Sequence, residues 1–80
     1  MSTDLTPAAL QGYRGERDAC PYLATSPNWY AYQAGYWARW RALPEPTGVR
    51  MGRGDKVHIS GVQVRVTIAK GSARSRVELA

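Results

Sequence analysis

The sequence predicts an α+β fold, an N-terminal two-helix hairpin packed on a small C-terminal antiparallel β-meander of two or three strands. Three observations predict it. Thr6-Pro7 and Ser26-Pro27 each place a hydroxyl residue before a proline, the start signal of a helix, and each opens a stretch with large side chains at helical spacing. From Val57 onward the period changes to two, with Val57, Ile59, Val62, Val64, Val66, Ile68, Val77 and Leu79 broken by Ser60-Gly61 and Lys70-Gly71-Ser72. Between these regions Leu43-Pro44-Glu45-Pro46-Thr47-Gly48 ends the helix and redirects the chain. A helical hairpin and a small sheet each leave an apolar face bare, so each covers the other. The 80 residues therefore read as one small domain: hairpin 1–43, Pro/Gly linker 44–56, meander 57–80.

The first helix is predicted from Pro7 to about Ala19, with the Thr6 hydroxyl capping its free amides. Leu10, Tyr13 and Arg17 share one side, while Gly12 and Gly15 each cost about 1 kcal/mol against Ala and imply close packing or fraying. Pro21 disfavours helical geometry at Cys20, which makes Cys20 the stop. The second helix is predicted from Pro27 to Leu43. Trp29, Tyr32, Tyr36, Trp40 and Leu43 form one stripe, and Ala31, Ala34, Gly35 and Ala38 form a small-residue back. The stripe predicts a core of Trp29, Tyr36 and Trp40 under the valine face of the meander. Tyr30 and Trp37, off the stripe and near Arg41, are predicted to be exposed, where they would stack on bases or pack on a partner.

The polar face of the meander is predicted to show Gln63, Arg65 and Thr67 with Arg74 and Arg76 opposite, and a phosphate backbone would relieve these like charges. Lys70 adds to the same basic tail. Net charge is +5, and residues 44–80 carry seven Lys or Arg against three acids, whereas residues 1–43 carry four against three. This excess favours polyanions or acidic protein faces. Three Trp, five Tyr and no Phe make every large ring amphipathic.

Several function classes fall away. One cysteine forms no internal disulfide, no charged start leads into an apolar run, and Gln33, Arg39 and Arg41 interrupt the best bilayer-spanning candidate, so a cytoplasmic protein without membrane contact is expected. Cys20 and His58 fall short of the four ligands of a structural zinc site, and as a catalytic dyad they would also need an orienting group and an oxyanion hole, so no catalytic residue is expected. Gly52-Arg53-Gly54 lacks the third glycine and preceding strand of a dinucleotide loop, so no cofactor is expected. A DNA-reading helix-turn-helix fails on its long connection, Cys20 to Ser26, and on rings and alanines where base readers carry Arg, Asn or Gln. Single-stranded RNA, held by stacking on Tyr and Trp with Arg along the backbone, suits the composition.

Gly12-Tyr13, then Cys20-Pro21-Tyr22, then Tyr32 with Gly35-Tyr36 resemble the ribosome modulation factor family, whose pattern is a Gly-Tyr helix, a Cys-Pro-Tyr elbow and a second helix with Trp-x-x-Gly-Trp. Tyr stands here for both Trp. The resemblance covers residues 6–43 and implies a helical hairpin that binds the small ribosomal subunit near the messenger-docking region of its RNA and promotes inactive ribosome dimers. It implies RNA contact by Arg14, Arg17, Tyr22, Arg39 and Arg41. The family also includes a ciprofloxacin-resistance protein said to modify the drug, but the nucleotide-binding groups such chemistry needs are missing from this sequence. Residues 54–80 are similar, more faintly, to the carbon storage regulators, which implies an intertwined homodimer with Arg74 and Arg76 on an RNA-binding edge. The leading expectation is a non-enzymatic ribosome- or RNA-associated regulatory module; the alternative is a protein-binding adaptor or inhibitor anchored by Tyr30 and Trp37.

Overall fold

A computed structural model describes residues 4–15, 20–60, 62–68 and 75–79. Two helices, α1 (Thr6–Arg14) and α2 (Pro27–Trp40), precede four strands, β1 (Val49–Met51), β2 (Lys56–Ile59), β3 (Val62–Ile68) and β4 (Ser75–Leu79). The fold is α+β, with the strands in one antiparallel meander of order β1-β2-β3-β4.

The start of α2 follows the sequence signal. Ser26 Oγ accepts from the Trp29 amide at 3.2 Å, and Pro27 opens the first turn. The end is sharper than predicted. Ala42 takes a left-handed φ of 57°, its amide donates to the Arg39 carbonyl and the Leu43 amide to the Ala38 carbonyl, so the helix closes in a Schellman turn at Trp40 rather than Leu43. α1 departs further, ending at Arg14 where Gly15 is extended, well before Ala19 and the Cys20 stop. Thr6 lies inside the helix and does not cap it. Asp4 does that work, its carboxylate accepting from the Thr6 amide at 3.0 Å and the Thr6 hydroxyl at 2.6 Å, bonds that hold its carboxyl below the usual value. The buried face of α1 is Ala8, Ala9 and Gly12 rather than Leu10 and Tyr13.

Small residues are buried on α1 because the helices nearly touch. A Cβ on Gly12 would run into the Tyr32 carbonyl, and one on Gly35 into the Ala9 carbonyl, so each helix gives the other a glycine to rest on. Tyr32 is fully buried at this crossing.

The sheet begins earlier than predicted. Val49–Met51, inside the expected linker, pairs with β2 in the register Val49↔Ile59, Arg50↔His58, Met51↔Val57, making four strands where two or three were expected. Ser60, just after β2, has φ 43°, a left-handed geometry suited to a hairpin turn, and β2 pairs with β3 from Ile59↔Val62 onward; Gly61, the other residue of the predicted break, lies outside the described residues. Gly54, at φ 64°, turns β1 into β2.

The sheet lies on the helical hairpin. Val49, Val57, Ile59, Val64 and Val66 join Leu5, Ala8, Ala9, Trp29, Ala31, Ala34, Trp37 and Ala38 in one buried cluster. Backbone stitching strengthens the joint, with the Leu5 amide donating to the Val49 carbonyl at 3.2 Å and the Val49 amide to Thr6 Oγ1 at 3.3 Å. The predicted stripe of α2 is thus corrected. Ala34, Trp37 and Ala38 face the core, Tyr36 is only half-buried, and Trp40 is 73% exposed. The helix is held between two neighbours, α1 and the sheet, which widens its buried arc to the small-residue side and turns Tyr36 and Trp40 outward. Among the described residues, no helix is long and apolar enough to cross a membrane.

Candidate nucleic-acid interface

The last turn of α2 gathers rings and cations at the surface. Tyr36 and Trp40, one turn apart, are tilted with centroids 6.1 Å apart, and with Gly15 and Arg39 they line an open cleft of about 330 Å³. Arg39 reaches across to α1, where its Nη1 donates to the Tyr13 carbonyl at 3.5 Å. Arg41, on the other side of Trp40 in the chain, lays its guanidinium 5.7 Å from the Trp37 ring centroid. The Schellman turn fixes where all three side chains leave the helix.

The two candidate rings thus exchange places. Trp37, predicted to be exposed, is 7% exposed in the core, and Trp40, predicted to be core, offers its ring to solvent. The signal that would have found Trp40 is its position between Arg39 and Arg41, opposite the alanine back of the same helix. Trp37 Nε1 is buried with no hydrogen-bond partner among the described residues. Tyr30 is half-buried, edge-on to Trp29 at 5.0 Å.

The remaining candidates are scattered. Arg14 is exposed and pairs with Glu45 at 3.3 Å. Tyr22 is half-buried, donates to Gln11 Oε1 at 2.8 Å and meets Tyr32 edge-on. Arg65 stands on the sheet's outer face, 3.9 Å from Asp55, and Glu78 lies opposite it in the register rather than a second cation, which corrects the expected like-charge pairing on that row. Arg76 lies opposite Thr67. Arg17, Lys70 and Arg74 fall outside the described residues. Among the described residues Arg39, Arg41, Arg50, Arg53 and Lys56 have no carboxylate within 4.0 Å, so their charge is open to a polyanion.

The family-motif residues are chiefly structural. Gly12 and Gly35 make the helix crossing, Tyr32 fills it, and the Tyr13 hydroxyl donates to the Leu43 carbonyl at 2.8 Å, tying α1 to the turn after α2. Tyr36 alone of them lines the cleft. Pro21 is exposed and Cys20 half-buried at the elbow, where burial pushes the thiol above its ordinary value. His58 is half-buried on the outer face of the sheet, between Arg50 and Gln63 in the register. No group of three metal-ligating side chains occurs among the described residues. No family model, curated protein or solved structure matches the chain.

Proposed function

We propose that this protein is a non-enzymatic, cytoplasmic RNA-binding regulatory module that acts on the ribosome, as its resemblance to the ribosome modulation factors implies. The observation that carries the reading is Trp40. A large ring left 73% exposed beside Tyr36, with Arg39 and Arg41 on either side, matches what an unpaired base and its flanking phosphates need. A duplex hides its base faces, so the preferred ligand is a single strand, a loop or a 3′ or 5′ end. The protein-binding alternative loses one of its two anchors, because Trp37 belongs to the core.

The test is fluorescence anisotropy with a labelled single-stranded RNA, together with co-sedimentation with small ribosomal subunits. Affinity falls steeply between roughly 50 and 200 mM salt if several phosphates are contacted. Trp40→Ala weakens binding by roughly 5- to 150-fold, the loss of one stacked base. Binding that ignores both salt and Trp40→Ala overturns the reading, and binding to RNA without co-sedimentation removes the ribosome from it.

A further inference from the structure

A second hollow, sharing no residue with the Tyr36-Trp40 cleft, lies where the last turn of α2, the linker after it and the adjoining ends of β2 and β3 meet. It holds about 190 Å³. Trp37, Leu43, Pro44, Ile59 and Val62 give it apolar walls. Hydrogen bonds pin the linker around it. The Leu43 amide donates to the Ala38 carbonyl at 2.9 Å, and the Leu43 carbonyl accepts from the Tyr13 hydroxyl at 2.8 Å. Further along, Ser60 Oγ accepts from the Thr47 amide at 3.3 Å and meets the Thr47 hydroxyl at 2.9 Å, which ties the linker to the end of β2.

The polar side chains of the lining are already engaged, with one exception. Thr47 and Ser60 bond each other, and Glu45 pairs with Arg14. The exception is the indole that forms one wall: Trp37 Nε1 is buried and has no acceptor among the described residues. A buried donor without a partner destabilises a fold, and native structures rarely keep one without a reason. Water is a poor answer, because a bound water needs about two to four polar partners and these walls are apolar. A ligand acceptor is a better one. The volume sets its size: a dry apolar cavity of about 150 Å³ holds benzene, so this hollow takes a six-membered ring with a short substituent. The walls set its charge. Apolar surroundings disfavour any ion, and the Glu45 carboxylate adds repulsion against an anion.

We propose that this hollow binds a small neutral ring molecule carrying one hydrogen-bond acceptor, a carbonyl oxygen or an unprotonated ring nitrogen, which accepts from Trp37 Nε1. The proposal does not rest on RNA binding. Two probes of similar shape test it, acetophenone with a carbonyl and ethylbenzene without one, each titrated into the full chain and followed by two-dimensional NMR. Of the three indole N–H signals, the one missing from Trp37→Phe is the reporter. Acetophenone shifts that signal saturably and binds roughly tenfold more tightly than ethylbenzene, the contribution of one hydrogen bond. In Trp37→Phe, shown to be folded by circular dichroism, the two probes bind alike. Val62→Phe fills the hollow from its half-buried wall and abolishes binding of both, and Leu43→Phe does the same if Val62→Phe unfolds. Four outcomes each overturn the proposal: no saturable binding of acetophenone, equal affinity for the two probes, a preference that survives in folded Trp37→Phe, or binding untouched by a folded filling variant.

Discussion

Gly35 rests directly on the carbonyl group of Ala9, and Gly12 repeats the contact in the other direction on Tyr32. The obstructing atoms are backbone, which cannot rotate away as a side chain can. Gly35→Ala therefore forces the helices apart and costs about 2–3 kcal/mol, read as a lower urea midpoint with little change in slope. Gly12→Ala behaves alike. If Gly35→Ala raises stability through its better helix propensity, the helices are not packed this closely.

Trp37 and Trp40 separate stability from binding. Trp37→Ala empties the joint between helix and sheet and costs about 3–5 kcal/mol, whereas Trp40→Ala stays within about 0.5 kcal/mol of the parent. Trp37→Phe is informative too. It gives up some volume but removes a buried N–H without a partner, and so stays within about 1 kcal/mol of the parent. Thermal unfolding monitored by circular dichroism ranks all three.

Ala42 sits in a left-handed conformation that glycine adopts without cost. Ala42→Gly stabilises the Schellman turn by about 0.5–1 kcal/mol, and the urea midpoint rises accordingly. Its opposite number at the other end of α2 is Ser26→Ala, which removes the acceptor for the Trp29 amide and lowers stability by about 1 kcal/mol.

Cys20 gives a pH signature. Burial raises its folded pKa above the unfolded value, so the native state holds the proton more tightly. The stability this contributes is present below the unfolded pKa and is lost as pH rises through the folded pKa. Cys20→Ala flattens the alkaline fall in stability, and iodoacetamide labels the folded chain more slowly than the unfolded one near pH 9. Equal labelling rates would contradict a shielded thiol.

Much of the architecture was legible because it is written in local signals. Ser26-Pro27, the break at Ser60 and the alternating valines Val57, Val62, Val64 and Val66 each act through neighbours in the chain, and each appears where it was expected. The errors arise where the tertiary neighbour decides. A helical wheel assigns one apolar stripe to α2, yet α2 has two partners, so the alanine back became core and the Tyr36-Trp40 end of the stripe became surface. Val49-Arg50-Met51 was hidden by length, since three residues beside prolines and a glycine carry too little alternation to distinguish a strand from a linker. Asp4 took over the capping expected of Thr6, and nothing in the Thr-Pro pair distinguishes those two outcomes. At the candidate site the cations Arg39 and Arg41 were found and their ring was not.

The bonds from Leu5 to Val49 and from Val49 to Thr6 have a consequence for how the chain is made. The first helix is synthesised long before the strand that anchors it. At about 5–20 residues per second, roughly two to nine seconds separate the two ends of that joint. The Ala34, Trp37 and Ala38 ridge likewise precedes in the chain every strand that covers it. The indole that the finished protein keeps inside thus depends for its cover on strands that lie later in the chain, and a product truncated before Val57 would leave it bare.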